Sequence, residues 1–322
     1  MIKILFSSAG RRVELMDCFR RAAKEYGTNI EIYAADIAPE WSPACHLADH
    51  ALEISRCTED GFYEQMLHIC REHASDMIVP TIDTELMGYA LLKEKFRCAG
   101  VSVIVPNSDF VAVARDKFKT TECFCRGGID VPQTWSQEQQ EHFVYPVIAK
   151  PINGSCSIGI RYLRNSQDLQ QLNTQKFHYI FQEICSGDEY TVNCYYENGS
   201  LCCAVPHRRI KVRDGEVLFG QTVKISAFDD IAEKLALLFK DLEGVICFQA
   251  FYDNHTAKTR VIEVNARFGG GYPLCDHAGG KFALWLIQKH LDGQSQGSNH
   301  WTSGLRMLRY DSACYDHVDG KR

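Results

Sequence analysis

Four polar side chains in the last third of the chain have the types and spacing of a metal site with a cation beside it: Gln249, Glu263, Asn265 and Arg267. Residues 245–252 are β-branched and aromatic, a polar turn follows, and residues 259–265 form a second strand-like run. Because side chains alternate along a strand, Glu263 and Asn265 share a face, and a hairpin turning at residues 255 and 256 places Gln249 opposite Glu263. Carboxylate and amide oxygens suit Mg²⁺. The pattern predicts a metal site, and the alternative is a hairpin with a solvated polar face.

The order of these residues, Gln on one strand and Glu-x-Asn-x-Arg on the next, resembles the metal-binding core of the ATP-grasp superfamily. The similarity is greatest to its carbamoyl-phosphate-synthetase large-subunit-like branch. The resemblance implies ATP with Mg²⁺ or Mn²⁺, the metal ion on Gln249, Glu263 and Asn265, and a catalytic role for Arg267. It also implies phosphoryl transfer to a substrate carboxylate and attack of an amine or a thiol on the resulting acyl phosphate. A carbamoyl-phosphate synthetase is a duplicated chain and this sequence has one copy, so we expect a single-copy carboxylate–amine ligase.

Lys150 ends an apolar strand directly before a proline, and a loop rich in glycine and serine follows it. A lysine that leaves a buried strand needs an anion or water as its partner. In the loop, small residues let backbone N–H groups face a phosphate, and serine hydroxyls add donors. The resemblance therefore places Lys150 beside the α-phosphate, and it makes the loop a mobile cover over the β- and γ-phosphates that includes Gly154, Ser155, Ser157 and Gly159.

A strand over residues 180–185 is followed by a glycine turn and a second strand. In the superfamily this segment is the hinge that binds the adenosine. By resemblance, Glu183 and the backbone through Ile184 and Cys185 would hydrogen-bond the adenine edge. Glu189 would accept from the ribose hydroxyls, since a carboxylate can accept two such bonds. The alternative for Glu189 is an ordinary polar strand residue.

The sequence predicts a helix over residues 107–126. In the superfamily a basic residue at this place reaches the ATP phosphates. We choose Lys117 for that role, with Arg115 as a second candidate. A solvated helix face is the alternative.

Basic side chains crowd the strand over residues 207–213. The chain has a net charge of -6, so this cluster needs an anionic partner, and the polyphosphate or a substrate carboxylate would supply one. We assign Arg209 to the nucleotide and Lys211 to catalysis. Alternation places both on one face with Arg213, and which face meets the ligand stays open. Nucleic acid is the competing partner, but the segment is short and lacks interleaved aromatic residues.

The first hundred residues alternate between strand and helix patterns, which predicts an α/β domain with a parallel sheet. Residues 7–12 have one glycine where a dinucleotide fingerprint needs three, which argues against a nicotinamide-dependent enzyme. By resemblance this is a Rossmann-like pre-ATP-grasp domain. Asp83 and Glu85 follow a strand at its ligand-binding end, where they could meet a substrate amine or cap the next helix. The helix cap is the favoured interpretation.

The resulting organisation is a pre-ATP-grasp domain over residues 1–106 and an α+β ATP-grasp fold of two subdomains over residues 107–184 and 185–322. The glycine triplet at residues 269–271 suggests room for a larger acceptor. The alternatives in function are a nucleotide-binding regulatory or degenerate ATP-grasp protein and, less favoured, the nicotinamide-dependent enzyme.

Composition is ordinary for a soluble protein, with 45% hydrophobic and 24% charged residues among 322. There is no apolar run long enough for a transmembrane helix, and the first residues read as a strand rather than a signal peptide. The 15 cysteines lack paired spacing and are expected to be mostly buried thiols. We therefore expect a cytoplasmic protein with small-molecule carboxylate and amine substrates and no nucleic-acid or membrane partner, and a homodimer is the candidate assembly.

Overall fold

The computed structural model describes residues 1–139, 142–153, 158–172, 174 and 176–316 of the chain. No helix within these residues combines the length and the apolar character needed to cross a bilayer.

The N-terminal region is a five-stranded parallel sheet between helices, as the strand–helix alternation predicts. Its strands are β1 (Ile2–Ser7), β2 (Ile30–Asp36), β3 (His50–Glu53), β4 (Met77–Pro80) and β5 (Ser102–Val103), in the order β3-β2-β1-β4-β5. Its helices are α1 (Val13–Tyr26), α2 (Pro43–Leu47), α3 (Phe62–Glu72) and α4 (Leu86–Cys98). The strand order reverses between β1 and β4, and in open sheets of this kind ligands bind at the carboxyl ends beside that reversal.

A linking segment and a small antiparallel sheet follow. The linking helices are α5 (Ser108–Ala114) and α6 (Lys117–Arg126). The sheet consists of β6 (Thr134–Trp135), β7 (Val147–Pro151), β8 (Arg161–Leu163) and β9 (Tyr179–Glu183) in the order β6-β9-β7-β8, with α7 (Ser166–Gln170) between β8 and β9.

The prediction of one continuous helix over residues 107–126 is wrong. The helix breaks at Arg115 and Asp116 because the Asp116 side chain accepts hydrogen bonds from the backbone N–H groups of Phe118 and Lys119, both at 3.0 Å. An aspartate in this position caps a new helix. Lys117 is consequently the first residue of α6 and lies at the break.

The C-terminal region is a six-stranded antiparallel sheet in the order β14-β13-β10-β11-β12-β15. Its strands are β10 (Asp188–Glu197), β11 (Ser200–Arg213), β12 (Glu216–Thr222), β13 (Gly244–Asp253), β14 (Lys258–Asn265) and β15 (Arg306–Leu308). Its helices are α8 (Ser226–Leu238), α9 (Tyr272–Ala278) and α10 (Phe282–Asp292). A parallel α/β domain followed by an α+β fold with two separate sheets confirms the predicted fold class. The boundaries at residues 106 and 184 stay predictions.

The N-terminal sheet and the six-stranded sheet share their hydrophobic cores. Phe19 on α1 packs edge-to-face on Phe268, with ring centroids 5.8 Å apart. Phe110 on α5 packs in the same way on Phe239, at 4.9 Å. Aromatic rings contribute large apolar areas when they are buried, which stabilises this arrangement. As a result, the segment that follows β4 lies against the segment that follows β14.

Candidate functional site

The hairpin formed by β13 and β14 has the predicted register. Gln249 pairs with Glu263 and Cys247 pairs with Asn265, with a register shift after Gln249. Asn265 is 9% exposed, and the side chains of Gln249 and Glu263 are half-buried. Beyond this backbone pairing, the side chains of the three metal-ligand candidates make no hydrogen bond and no ion pair with another described residue.

This donor set fits a hard divalent cation. It offers one carboxylate and two amide oxygens on neighbouring strands, and magnesium typically completes such a partial set with water and substrate phosphates. Clusters of three or more His, Cys, Asp or Glu residues able to hold a metal are absent from the described part of the chain. Any metal ion at this hairpin would therefore depend on ligands besides Glu263 and the two amides.

Lys150 lies on β7 and is 6% exposed. Its ammonium makes no hydrogen bond to any residue that the structure describes. Burial lowers the pKa of Lys150, while the nearby carboxylates of Glu263 and Glu189 act in the opposite direction and Lys117 adds to the lowering. The fold thus gathers two predicted phosphate-binding lysines, a predicted metal ligand and the predicted ribose ligand in one place. A buried ammonium without a partner is suited to an anionic ligand.

A cavity joins four parts of the chain at this point. Its polar lining comes from the segment after β4, the break between α5 and α6, the segment after β7 and the end of β14: Asp83, Arg115, Lys117, Asn153, Glu263 and Asn265. The guanidinium of Arg115, the second candidate for the phosphates, makes no hydrogen bond and no ion pair with another described residue. The backbone N–H of Lys117 donates to Ile152 O at 3.3 Å, which ties α6 to the end of β7.

Of the predicted phosphate loop, Gly154, Ser155 and Ser157 lie outside the described residues. Gly159 has a φ of +78°, and a Cβ there would lie 2.9 Å from the Pro151 side chain. A positive φ and a close neighbour both favour glycine. Gly159 therefore lies directly against Pro151, the residue that follows Lys150.

The predicted hinge residues 183–185 differ in how far their side chains are already engaged within the protein. The Glu183 carboxylate accepts from the backbone N–H of Gln133 at 3.1 Å and from Arg260 Nε at 3.4 Å, so it is engaged within the protein. Ile184 is 45% exposed and offers apolar surface. Burial raises the pKa of Cys185 to about 11, which keeps this thiol protonated at neutral pH. An adenine contact through the backbone of Ile184 and Cys185 stays a prediction.

Glu189 and Arg209 face each other across β10 and β11. Arg209 Nε lies 3.0 Å from Glu189 Oε1, although the N–H is not aimed well enough at a partner to count as hydrogen-bonded. The two Nη atoms of Arg209 donate to Thr191 Oγ1 at 3.2 Å and to Gly215 O at 2.9 Å. The Arg209 side chain is thus held by contacts within its own sheet. The Glu189 carboxylate is near Lys150 and already has the Arg209 guanidinium beside it.

The rest of the basic strand does not form one cationic face. Register shifts on both sides of Lys211 interrupt the alternation that the shared-face prediction assumed. Lys211 is exposed and its ammonium lies 5.3 Å from the Phe219 ring centroid, Arg208 pairs with Asp188 at 2.8 Å, and Arg213 pairs with Asp311. The segment contributes no residue to the described lining of the cavity. The catalytic role of Lys211 stays a prediction.

Arg267 forms a bidentate ion pair with Asp83 of the N-terminal region. Its Nε and Nη2 donate to the two carboxylate oxygens of Asp83 at 2.9 and 2.8 Å, and both side chains are 12% exposed. Burial opposes the charged form of Asp83, but Arg267 together with Arg115 and Arg12 lowers the pKa of that carboxyl below its ordinary value. The arginine predicted to be catalytic is therefore positioned from the other region of the chain.

The interpretation of Asp83 and Glu85 as helix caps is wrong. Helix α4 begins at Leu86 without a side-chain cap. Glu85 is fully buried and accepts from Thr81 N at 2.8 Å and from Ser7 Oγ at 2.6 Å, and burial raises its pKa. The sequence signal for this role is the placement of two carboxylates directly after a buried strand, at the edge where open sheets bind ligands.

A second cluster was not predicted from the sequence. Glu216 on β12 bridges Arg12 and Arg309, each at 3.1 Å. Arg309 also pairs with Glu14 at 3.0 Å and donates to Gly270 O. These contacts join α1, β12, the glycine triplet and the C-terminal segment.

The glycine triplet is closely packed rather than roomy. A Cβ on Gly269 would lie 2.9 Å from Cys247 Sγ, and one on Gly271 would lie 2.5 Å from His207 Nε2. His207 is fully buried, its Nε2 has no hydrogen-bond partner among the described residues, and burial lowers its pKa to about 3. The expectation that the triplet makes room for a larger acceptor is therefore wrong, because other side chains already fill that space.

Comparison with known proteins agrees with this arrangement. The family model of the ATP-grasp domain matches residues 114–271, and that of the PylC-like N-terminal domain matches residues 4–104. D-alanine–D-alanine ligase of Bacillus velezensis is 23% identical over 199 residues, 57% of this chain. The match spans 52% of that ligase, about half of its length.

Solved structures share the fold at low identity. The biotin carboxylase domain of 2-oxoglutarate carboxylase from Hydrogenobacter thermophilus, in complex with MgADP, is 16% identical with a TM-score of 0.73, covering 93% of this chain and 72% of that one. L-amino acid ligase from Bacillus licheniformis is 14% identical with a TM-score of 0.71, covering 94% and 78%. These likenesses confirm the predicted fold, and the chain belongs to the ATP-grasp superfamily, with a PylC-like N-terminal domain ahead of its ATP-grasp domain.

Proposed function

We propose that this protein is an ADP-forming ligase that uses ATP with Mg²⁺ to activate a substrate carboxylate as an acyl phosphate for attack by an amine. The observation that carries the proposal is a group of neighbouring polar side chains that make no hydrogen bond and no close ion pair with another described residue: Lys150, Gln249, Glu263 and Asn265. Leaving buried polar groups unpaired lowers stability. A bound nucleotide and metal ion would supply these partners, because phosphate oxygens can bind the ammonium and the metal ion can bind the carboxylate and amide oxygens.

The residues have complementary tasks in this proposal. Gln249, Glu263 and Asn265 would hold the metal ion, whose contribution when bound is to neutralise phosphate charge. Lys150 and Lys117 would bind phosphate oxygens, and Arg267 would direct N–H groups at the transferred phosphoryl group. Phosphoryl transfer needs mainly positioning and charge stabilisation, so no serine or cysteine of this chain requires a catalytic role.

Amino acids are the first substrates to test. A relative in sequence carries the name D-alanine–D-alanine ligase, and a solved structure with the same fold is that of an L-amino acid ligase. These names support an amino acid as the carboxylate, the amine, or both. A homodimer is proposed because the Hydrogenobacter domain is described as a dimer, and a cytoplasmic location is proposed because ATP is available there.

The test is phosphate release from MgATP in the presence of paired amino acids and small carboxylates. We expect release that depends on one particular pair and falls below detection in Glu263→Ala. Glu233→Gln, which removes an exposed carboxylate on α8, is the matched control and should keep full activity.

Two results would argue against the ligase. Nucleotide binding without turnover for any pair would favour a regulatory or degenerate ATP-grasp protein. The absence of a thermal shift with MgATP would refute the nucleotide site itself.

A further inference from the structure

The ion pair between Asp83 and Arg267 connects residues that are 184 positions apart. It uses the Nε hydrogen and one Nη2 hydrogen of Arg267, and one Nη1 hydrogen goes to Phe268 O at 3.0 Å. A guanidinium has five N–H donors. One hydrogen therefore remains on each terminal nitrogen, and these two are available to an oxyanion without breaking any existing contact.

Arg267 has a second carboxylate close by. Burial by itself would lower the pKa of Arg267, but Asp83 outweighs it, and Cys247 and Glu263 add to the rise. Asp83 already holds the guanidinium, whereas the Glu263 side chain has no hydrogen bond or ion pair within the described residues. Glu263 is also the one carboxylate in the predicted metal-ligand set.

The other nearby carboxylate is already occupied. Glu216 is bound by Arg12 and by Arg309, each at 3.1 Å. If Asp83 lost its charge, Arg267 would be a buried cation that lacks its partner, a situation that strongly favours a new pairing. Glu263 is the free acceptor within its electrostatic reach.

We propose that Asp83 is a positioning residue that holds Arg267 away from Glu263, so that Glu263 remains free for the metal ion and the two remaining N–H groups of Arg267 remain free for the phosphoryl group. This inference rests on the proposed function and extends it, because it makes the N-terminal domain a part of the metal site. Arg115 and Arg12 also act on the Asp83 carboxylate electrostatically. They keep Asp83 ionised, which is the form that can hold Arg267.

The experiment measures how ADP binding depends on Mg²⁺, by calorimetric titration of the full-length protein. In Asp83→Asn we expect the Mg²⁺-dependent part of ADP binding to weaken by about tenfold or more, as for other residues that orient metal ligands. Binding of ADP without Mg²⁺ should stay unchanged, which a general loss of structure would not allow. Asp60→Asn, which removes an exposed carboxylate from the same domain, should behave like the wild type.

A double variant isolates the mechanism. If Asp83 acts by restraining Arg267, the loss of Mg²⁺ dependence should disappear once Arg267 is absent, so Asp83→Asn/Arg267→Ala should match Arg267→Ala alone. An equal additional loss in the Arg267→Ala background would overturn the inference, and so would an unchanged Mg²⁺ dependence in Asp83→Asn. Failure of the wild type to bind MgADP would instead overturn the proposed function together with this inference.

Discussion

Lys150→Met should stabilise the protein in the absence of nucleotide and abolish its response to MgATP. Lys150 is 6% exposed, its ammonium has no hydrogen-bond partner in the described chain, and burial lowers its pKa. Replacing buried ionic groups by well-packed apolar side chains of similar volume is often neutral or stabilising, by up to about 4 kcal/mol, and the absence of a close ion pair to Lys150 favours the stabilising outcome. In a chain of this size about 1 kcal/mol corresponds to roughly 2–4 °C in an unfolding midpoint, so a rise of several degrees is expected.

The pH dependence of this effect has a definite sign. The folded-state pKa of Lys150 lies below its ordinary value of 10.5, so between these two values the unfolded chain binds more protons than the folded protein. Stability of the wild type therefore rises with pH over that window. The advantage of Lys150→Met should shrink as the pH approaches 10.5, since the wild type then folds with a neutral amine at no electrostatic disadvantage.

The assay is thermal unfolding with and without MgATP, and Lys93→Met is the matched control. Burial also lowers the pKa of Lys93, but its ammonium donates to Val105 O at 2.6 Å. Removing that donor leaves a carbonyl unsatisfied, so Lys93→Met should not be stabilised. A ligand at one hundred times its Kd stabilises by about 2.7 kcal/mol, a shift expected for the wild type and lost in Lys150→Met. A lower midpoint for nucleotide-free Lys150→Met would refute the reasoning, because it would mean that internal carboxylates already compensate the buried ammonium.

Two further predictions concern the break before α6 and the histidine under the glycine triplet. Asp116→Ala removes both 3.0 Å cap bonds, so it should lower stability by about 1 kcal/mol and raise the KM for ATP by displacing Lys117. Asp116→Asn keeps a capping side chain, so its stability and its KM should match those of the wild type. An unchanged KM in the alanine variant would contradict the assignment of Lys117 to the ATP phosphates. Burial lowers the pKa of His207 from 6.5 to about 3, so the unfolded chain binds one more proton between these values and stability falls as the pH decreases through them. His207→Asn should flatten the dependence of the unfolding midpoint on pH in that range, and an equally steep dependence would show that other groups cause it.

Local patterns were enough to predict the hairpin. Alternation along β13 and β14 and a turn near residue 255 determined the pairing of Gln249 with Glu263, which the structure has. The same reasoning failed at Lys211, where register shifts interrupt the ladder. Such irregularities depend on packing against neighbouring strands and leave little signal in one sequence. The prediction of one helix over residues 107–126 failed for a different reason. In the sequence alone, Asp116 as the cap of a new helix looks the same as an aspartate on the solvated face of a continuous helix.

The long-range charge pairs were beyond sequence reasoning. Nothing local indicates that Asp83 meets Arg267 or that Glu216 bridges two arginines, because these contacts arise when the N-terminal sheet packs on the C-terminal one. A carboxylate after a buried strand has several plausible partners nearby in sequence, and a helix N-terminus is the nearest. Tertiary packing supplied a stronger partner, a guanidinium with bidentate geometry.

The structure also divides the predicted site residues into two groups by what their side chains already contact. Glu183, Arg209 and Arg267 have partners within the protein, so their present positions are explained without a ligand. The side chains of Lys150 and Glu263, by contrast, make no hydrogen bond and no ion pair in the described chain, although one is buried and the other half-buried. Unpaired charges of this kind are destabilising, and substitutions that remove them are easy to find. The proximity of the Lys150 ammonium and the Glu263 carboxylate is what a site for a metal-bound polyphosphate requires. It separates this site from the basic strand over residues 207–213, whose charges are largely satisfied where they stand.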